Sequence, residues 1–180
     1  MVFLIRYSQF PATLYIFIMR TLLRTALYPA LIVWLGAEIF FPVVAAVTFK
    51  VLHPDTHTAG AIVGHLLRIL HGMGLASGLV ALVVLALAPS WGVYKRGAVL
   101  LPMALLAVML GLTIYSQIGI IPAMERDRIA AGGAIDAVEP ANPSRVDFER
   151  LHKDSVWVEE AVLLLGLTTV ALVARAESVS

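Results

Sequence analysis

Three ionisable side chains, those of Glu38, His71 and Glu159, occur inside or beside long apolar stretches of this chain. Carboxyl and imidazole groups exchange protons, pair with cations and ligate metals, so these residues are the best suited to chemistry. Such groups are expensive in hydrocarbon, and those found there usually face the interior of a helix bundle and mark function. The three residues therefore define the centre of the candidate site.

The elements that position them are four apolar stretches. The chain has 180 residues, of which 60% are hydrophobic and 14% charged, whereas soluble domains are about half apolar and about a quarter charged. No charged residue occurs between Ile69 and Tyr94 or between Gly97 and Met124, and each stretch exceeds the roughly 20 residues that cross a bilayer. Residues 25–49 and 156–174 are interrupted only by acidic residues. We predict an all-α integral membrane protein, an up-down-up-down four-helix bundle with spans of about residues 26–49, 64–88, 98–121 and 155–174.

The first 24 residues form a separate segment in this prediction, and residues 25–180 form the four-transmembrane-helix domain. The segment is apolar but contains Arg6, Arg20 and Arg24, and its uncharged part, residues 7–19, is too short to span comfortably. We expect an N-terminal interfacial helix. A spanning or cleaved segment is the alternative.

Loop charges predict the orientation. We call the end of the bundle where the first span finishes end A, and the opposite end B. End B carries more basic than acidic residues, namely Arg6, Arg20, Arg24, Lys95, Arg96 and Arg175 against Glu177. The positive-inside rule then places both termini in the cytoplasm of a bacterial inner membrane and end A outside, with one long extracytoplasmic loop of residues 125–154. After this loop, Ser144 is the expected N-cap of a helix that begins near Arg145.

One face of the second span combines small and polar residues. They recur at spacings of three and four residues: Gly60, Gly64, Arg68, His71, Gly74 and Gly78. Small residues on one stripe allow close helix packing, which is the simplest interpretation of the glycines. Arg68 can extend toward end A, and His71 lies about one turn deeper.

Every span sends polar residues toward end A or the core, which predicts a polar vestibule open to end A and closed by an apolar end-B half. Its candidate members are Glu38, Arg68, His71, Tyr115, Gln117, Glu125, Arg128, His152, Ser155 and Glu159. Pro42 leaves the Glu38 carbonyl without its helical donor, which favours a kink there. The alternative is that a salt bridge from Glu159 or Glu125 to Arg68 only locks the helices together.

A metal or haem site is a further hypothesis, with His71 and His152 as ligands and haem or a transition metal as the cofactor. The chain has no cysteine, which excludes thiolate ligands and disulfides. No tight HxxxH or HExxH spacing occurs, and solvated loop histidines explain His53 and His57. No nucleophile–base pair is apparent either, so we do not expect an enzyme.

Three segments, LIVWLGAEIFFPVVAAVTFKVL, PAMERDR and RVDFERLHKDSVWVE, resemble the transmembrane protein 205-like family, a domain of unknown function. The motif positions matched are Trp34, Gly36, Phe40, Pro42, Phe49, Pro122, Met124, Arg128, Phe148, Leu151, His152 and Ser155. This resemblance implies a four-helix membrane fold and no particular chemistry. More distantly, the first span is similar to copper-resistance D-type proteins and to haem-binding protoporphyrinogen-oxidising membrane proteins. Those carry a His about two turns before the Trp, where this chain has Leu27.

The function expected from these patterns is small-solute or metal handling through the vestibule. The alternatives are a structural or accessory subunit of a larger membrane complex and a haem-binding redox protein. Expected partners are the lipid bilayer and a membrane protein complex or second copies of the chain. A net charge of +1 gives no reason to expect nucleic acid binding.

Overall fold

The computed structural model describes residues 12–178, and within them the chain is helical with no β-strand. The helices are α1 (Ala12–Leu52), α2 (Thr56–Leu87), α3 (Arg96–Tyr115), α4 (Ile121–Ala130) and α5 (Pro143–Ser178). A 3₁₀ turn, Ala88–Trp91, follows α2, and another, Ile135–Ala137, lies in the loop before α5. A π-helical turn, Ser116–Ile120, joins α3 to α4. The predicted all-α class is confirmed.

Four stretches are long and apolar enough to cross a membrane: Leu14–Leu52, Thr56–Trp91, Arg96–Ala130 and Pro143–Glu177. The third stretch contains α3, the π turn and α4, so five helices make four spans. Each stretch has at least 35 residues, or about 52 Å of helix against about 30 Å of hydrocarbon. The chain is therefore an integral membrane protein whose helices project beyond the bilayer.

The spans form a closed ring, because α1 packs on α2, α2 on α3, α3 on α5, and α5 on α1. The core between them includes Leu27, Trp34, Leu85, Leu106 and Val162, all nearly or completely buried. The short links after α1 and α2 make neighbouring spans antiparallel, which is the predicted up-down-up-down arrangement.

The glycine stripe of α2 serves two different purposes along its length. The Trp34 indole lies directly over Gly74 and Gly78, and a Cβ atom at Gly74 would be only 2.6 Å from Trp34 Nε1. Packing explains these two glycines. At Gly60 and Gly64, nearer end A, a Cβ atom would meet nothing within 4 Å. The helices that pack tightly around Trp34 therefore leave open space toward end A.

Contacts between α1 and α5 occur on the end-B side of Glu38. There Gly166 accommodates the Leu35 side chain, and Arg24 Nε lies 3.4 Å from Glu177 Oε1. Gly166 and this ion pair thus close the ring of helices in the end-B half, which is closely packed.

The described part of the N-terminal segment, residues 12–24, continues α1 without a break. Arg20 Nε donates a hydrogen bond of 3.1 Å to the Trp91 carbonyl, and the Tyr15 ring meets the Trp91 ring edge-on at 5.6 Å. These contacts attach the start of α1 to the end-B loop. Residues 1–11 lie outside the described part, and an interfacial position for residues 1–24 stays a prediction.

Two end-A caps fix where α2 and α5 begin. Asp55 Oδ1 accepts a 2.9 Å hydrogen bond from the Thr58 amide, and hydrogen bonding from Thr58 holds the pKa of Asp55 below its ordinary value. At α5 the cap is Asn142, whose Oδ1 accepts from the Ser144 amide at 2.9 Å. The prediction of Ser144 as the cap is wrong because Pro143, with its fixed φ and no N–H, suits the first helical position.

Candidate functional site

A cavity of about 900 Å³ lies at end A between α1, α2, α4 and α5. We call it the end-A cavity. Its walls are mainly apolar, and three aromatic rings, those of Phe41, Phe49 and Phe148, line it. The ionisable residues lining it are Glu38, His57, His65, Arg68, Glu125, Arg128, Asp136, His152, Glu159 and Glu160. The space beside Gly60 and Gly64 is part of this cavity.

A hydrogen-bonded cluster lies at the closed end of the cavity. Its member Glu159 lines the cavity, whereas His71, Ser116 and Gln117 lie behind it. The completely buried His71 ring has Nε2 at 2.8 Å from Glu159 Oε1 and Nδ1 at 3.0 Å from Gln117 Oε1. Ser116 Oγ also donates to Glu159 Oε1, at 3.4 Å. With the amide of Gln117 in this orientation, both partners of His71 are acceptors, which suits a positively charged ring that donates from both nitrogens. The cluster ties α2, the π turn and α5 together at one point.

Glu38 completes this closed end from α1. Its Oε1 accepts a 3.2 Å hydrogen bond from Trp34 Nε1, one turn earlier on the same helix. The residue is only 5% exposed, and its carboxyl group faces Glu159 and His71. Within the described residues Glu38 forms no ion pair, so this buried carboxyl has no cation of its own.

The third span contributes Ser116 and Gln117 to the cluster, and both belong to the π turn. The Ile121 amide donates to the Ser116 carbonyl, five residues earlier, and Pro122 has no amide hydrogen to continue the α-helical pattern. Isolated π turns in helices are frequent at functional sites. Ser116 and Gln117 are the first two residues of this turn, and both side chains reach the cluster. Tyr115 does not line the cavity, because one residue turns a helix by about 100°, and it is 56% exposed.

Arg68 and Arg128, both predicted members, stand in different environments. Arg128 binds Glu125 through two hydrogen bonds of 2.7 and 3.1 Å. Arg68 lines the cavity, is exposed and has no ion pair in the described part of the chain. The salt bridge from Glu125 or Glu159 to Arg68 that we considered does not form, because each carboxylate has a nearer partner.

His152 and Ser155 line the cavity from α5. The His152 ring is exposed and stacks on Phe148 at a centroid distance of 6.4 Å and an interplanar angle of 11°. It lies seven residues before Glu159, or about 10 Å along the helix. His71, with both ring nitrogens hydrogen-bonded, does not share a ligand position with it. Between residues 12 and 178 no group of three His, Cys, Asp or Glu side chains is arranged to hold a metal ion.

The depth of the site follows from helix lengths. The hydrocarbon layer is crossed by about 20 helical residues. Counted from the Arg24–Glu177 pair at end B, this distance ends at about residue 44 on α1 and about residue 157 on α5. On this count we expect Glu38 and Glu159 to lie just inside the hydrocarbon, and Phe49 and His152 to lie beyond it.

A protein-family comparison identifies the chain's relatives. The family model described as a domain of unknown function, DUF4149, matches residues 30–128. The chain belongs to this family. The DUF4149 match contains Trp34, Glu38, His71, Ser116 and Gln117, and it ends before α5 and Glu159. No curated protein and no solved structure matches the chain.

Several cavity residues were not among the candidates read from the sequence. Within the residues matched by DUF4149 these are His57 and His65, and beyond the match they are Asp136 and Glu160. Ser116, which bonds to Glu159 beside the cavity, was not a candidate either. The i, i+4 spacing of Trp34 and Glu38 was a usable signal for their hydrogen bond. For Ser116 the signal was its spacing of three and four residues from Thr113, Met109 and Leu106, which form the buried stripe of α3.

Proposed function

We propose that this membrane protein binds and handles a small organic solute in the end-A cavity. The supporting observation is a cavity of about 900 Å³ whose apolar walls lead to a buried cluster of hydrogen-bonded ionisable groups. Ligand pockets are typically about 300–1,000 Å³, mainly apolar, with a few polar groups that fix orientation. The end-A cavity has a volume in this range, and its lining is likewise mainly apolar with a few polar groups.

Metal and haem binding receive less support. A metal ligand needs a free imidazole lone pair, and both nitrogens of His71 are engaged. At the position where the haem-binding relatives carry a His, Leu27 is completely buried in the core. Kinship with the transmembrane protein 205-like or copper-resistance D-type proteins remains part of the proposal, and it adds no chemistry to it.

We further propose that end A faces outside the cell and both termini face the cytoplasm of a bacterial inner membrane. The basic residues of the described end-B region support this orientation; they are Arg20, Arg24, Lys95, Arg96 and Arg175. In this orientation the end-A cavity opens to the extracytoplasmic space.

Single cysteines test the cavity directly, because the chain has none of its own. Gly64→Cys places a thiol in the cavity, and Gly111→Cys is the matched control. Both are helical glycines with nothing within 4 Å of a Cβ atom, but Gly111 does not line the cavity. A membrane-impermeant maleimide added to intact cells should label Gly64→Cys and leave Gly111→Cys unmodified, because a thiol in hydrocarbon does not ionise to react.

Ligand retention is the second readout. Mass spectrometry of the purified protein should find a small molecule with the wild type and with Gly111→Leu, and lose it with Gly64→Leu, which fills the cavity. An unlabelled Gly64→Cys in both intact cells and inverted vesicles would overturn the vestibule. A labelled cavity with no retained molecule and a stoichiometric protein partner would instead favour an accessory subunit.

A further inference from the structure

We propose that the occupant of the end-A cavity is an amphipathic organic cation. Its positive group would lie between the carboxyl groups of Glu38 and Glu159, and its apolar body against Phe41, Phe49 and Phe148. This inference rests on the proposed function and names the chemical class of the solute.

The first argument is the charge at the closed end. Two carboxyl groups and one imidazole meet there, and His71 compensates at most one of the carboxylates. Glu38 is 5% exposed, accepts a hydrogen bond from the neutral Trp34 indole, and has the carboxyl group of Glu159 as its other hydrogen-bonding neighbour. A buried carboxylate without a counter-charge is costly. A monovalent cation in the cavity would supply that charge.

The second argument is the aromatic and apolar lining of the end-A cavity. Aromatic faces attract cations within about 6 Å of the ring, and weakly hydrated organic cations profit most from such contacts. The cavity has three phenyl rings and apolar neighbours such as Ile121 and Leu163. A hydrated inorganic ion gains little there, and the described residues provide no three-ligand metal group. An ion with an apolar body fits both parts of the lining.

The third argument is the position of the cationic side chains. Arg128 is neutralised by Glu125. Arg68 faces the cavity one turn closer to end A than His71 and is exposed, so water screens its charge. Its repulsion weakens as a cation moves past it toward the acids. The deepest part of the cavity therefore has the most negative character.

Two nearly isosteric ions of opposite charge, tetraphenylphosphonium and tetraphenylborate, test the proposal. Equilibrium dialysis with the full-length protein in neutral detergent should show one phosphonium bound per chain and no borate above the detergent background. Glu38→Gln should weaken phosphonium binding at least tenfold. Glu149→Gln, the matched control, should not change it, because it removes the same charge at the same end outside the cavity.

A second measurement links binding to the cavity. Saturating phosphonium should slow the labelling of Gly64→Cys by a neutral maleimide at least fivefold, and borate should not. Borate bound as well as phosphonium, or phosphonium unbound although Gly64→Cys is labelled, would overturn the cation inference and leave a solute site intact. An unlabelled Gly64→Cys would overturn the proposed function itself. The comparison of the two ions on the wild type decides the question even if Glu38→Gln fails to fold.

Discussion

Gly74→Ala is a single-methyl change whose cost can be derived from the structure. The new Cβ atom would lie 2.6 Å from Trp34 Nε1 and 3.0 Å from two other indole atoms, whereas carbon contacts are optimal at about 3.5–4.0 Å. The ring or the helix must move by about 1 Å, and overpacking of this kind costs about 1–3 kcal/mol. Displacing the indole also stretches its 3.2 Å hydrogen bond to Glu38, which is worth about 0.6 kcal/mol in a membrane protein.

An opposing gain has to be subtracted. Alanine is the better helix former by about 1 kcal/mol, so the net destabilisation expected for Gly74→Ala is about 0.6–2.6 kcal/mol. Gly64→Ala is the matched control on the same stripe, because its Cβ atom meets nothing within 4 Å. Its expected effect is zero or a stabilisation of up to about 1 kcal/mol. Because this helix-propensity gain applies to both variants, they should differ by about 1.6–3.6 kcal/mol, which is the overpacking and the hydrogen-bond contribution together.

The assay is reversible unfolding in mixed micelles with increasing sodium dodecyl sulfate, followed by far-ultraviolet circular dichroism. Equal stability of the two variants would contradict the close contact between Trp34 and α2, and with it the division of the glycine stripe into a packed half and an open half. A strongly destabilised Gly64→Ala would show that the end-A cavity is filled in the membrane.

Two further predictions concern polar groups. His71→Ala should lower the free energy of unfolding by about 2 kcal/mol, since it leaves Glu159 and Gln117 without their shared partner. His65→Ala, at an exposed cavity residue, should change the free energy of unfolding by no more than about 0.5 kcal/mol. The same unfolding assay compares the two variants. Asp55→Asn should match the wild type near neutral pH, because both side chains cap helices well. The lowered pKa of Asp55 means that its ionised form stabilises the fold above pH 3.8, its ordinary value, and that this contribution is lost as the pH falls through the folded-state pKa. Melting temperatures that kept a constant difference from pH 7 down to pH 2.5 would contradict that role.

Much of the architecture follows from composition alone. Uncharged runs of the right length predict the spans, and short links between them predict antiparallel neighbours. The cost of polar groups in hydrocarbon also explains why His71, Gln117 and Glu159 turn inward and meet, as their hydrogen bonds show. No comparable force acts on Arg68 or His152 nearer end A, where water satisfies a polar group. For these two residues, sequence spacing could not decide between the cavity and the outer surface.

Other features depend on tertiary packing that spacing does not encode. The glycines of α2 have one spacing and two environments, because the Trp34 side chain reaches Gly74 and Gly78 but not Gly64. The π turn shifts the residues after it relative to a regular helix, so the directions of side chains in α4 do not follow from the spacing in α3. The start of α5 depends on Asn142 and Pro143, where a search for serine followed by an acid selects Ser144.

The closed end-B half limits what the cavity can do. On the end-B side of Glu38 the interior is filled by Leu27, Trp34 and Leu85, none more than 1% exposed. The Trp34 indole packs against Gly78 and leaves no space there. A solute that reaches the ionisable cluster therefore meets packed side chains. The buried hydroxyl groups of Thr113 and Thr169 on this side each donate to a carbonyl of their own helix. The structure has the geometry of a binding protein or of one outward-facing state. Net transport would require the contacts of Trp34 with α2 to separate, so Gly74→Ala, which loosens them, should alter transport and unfolding together.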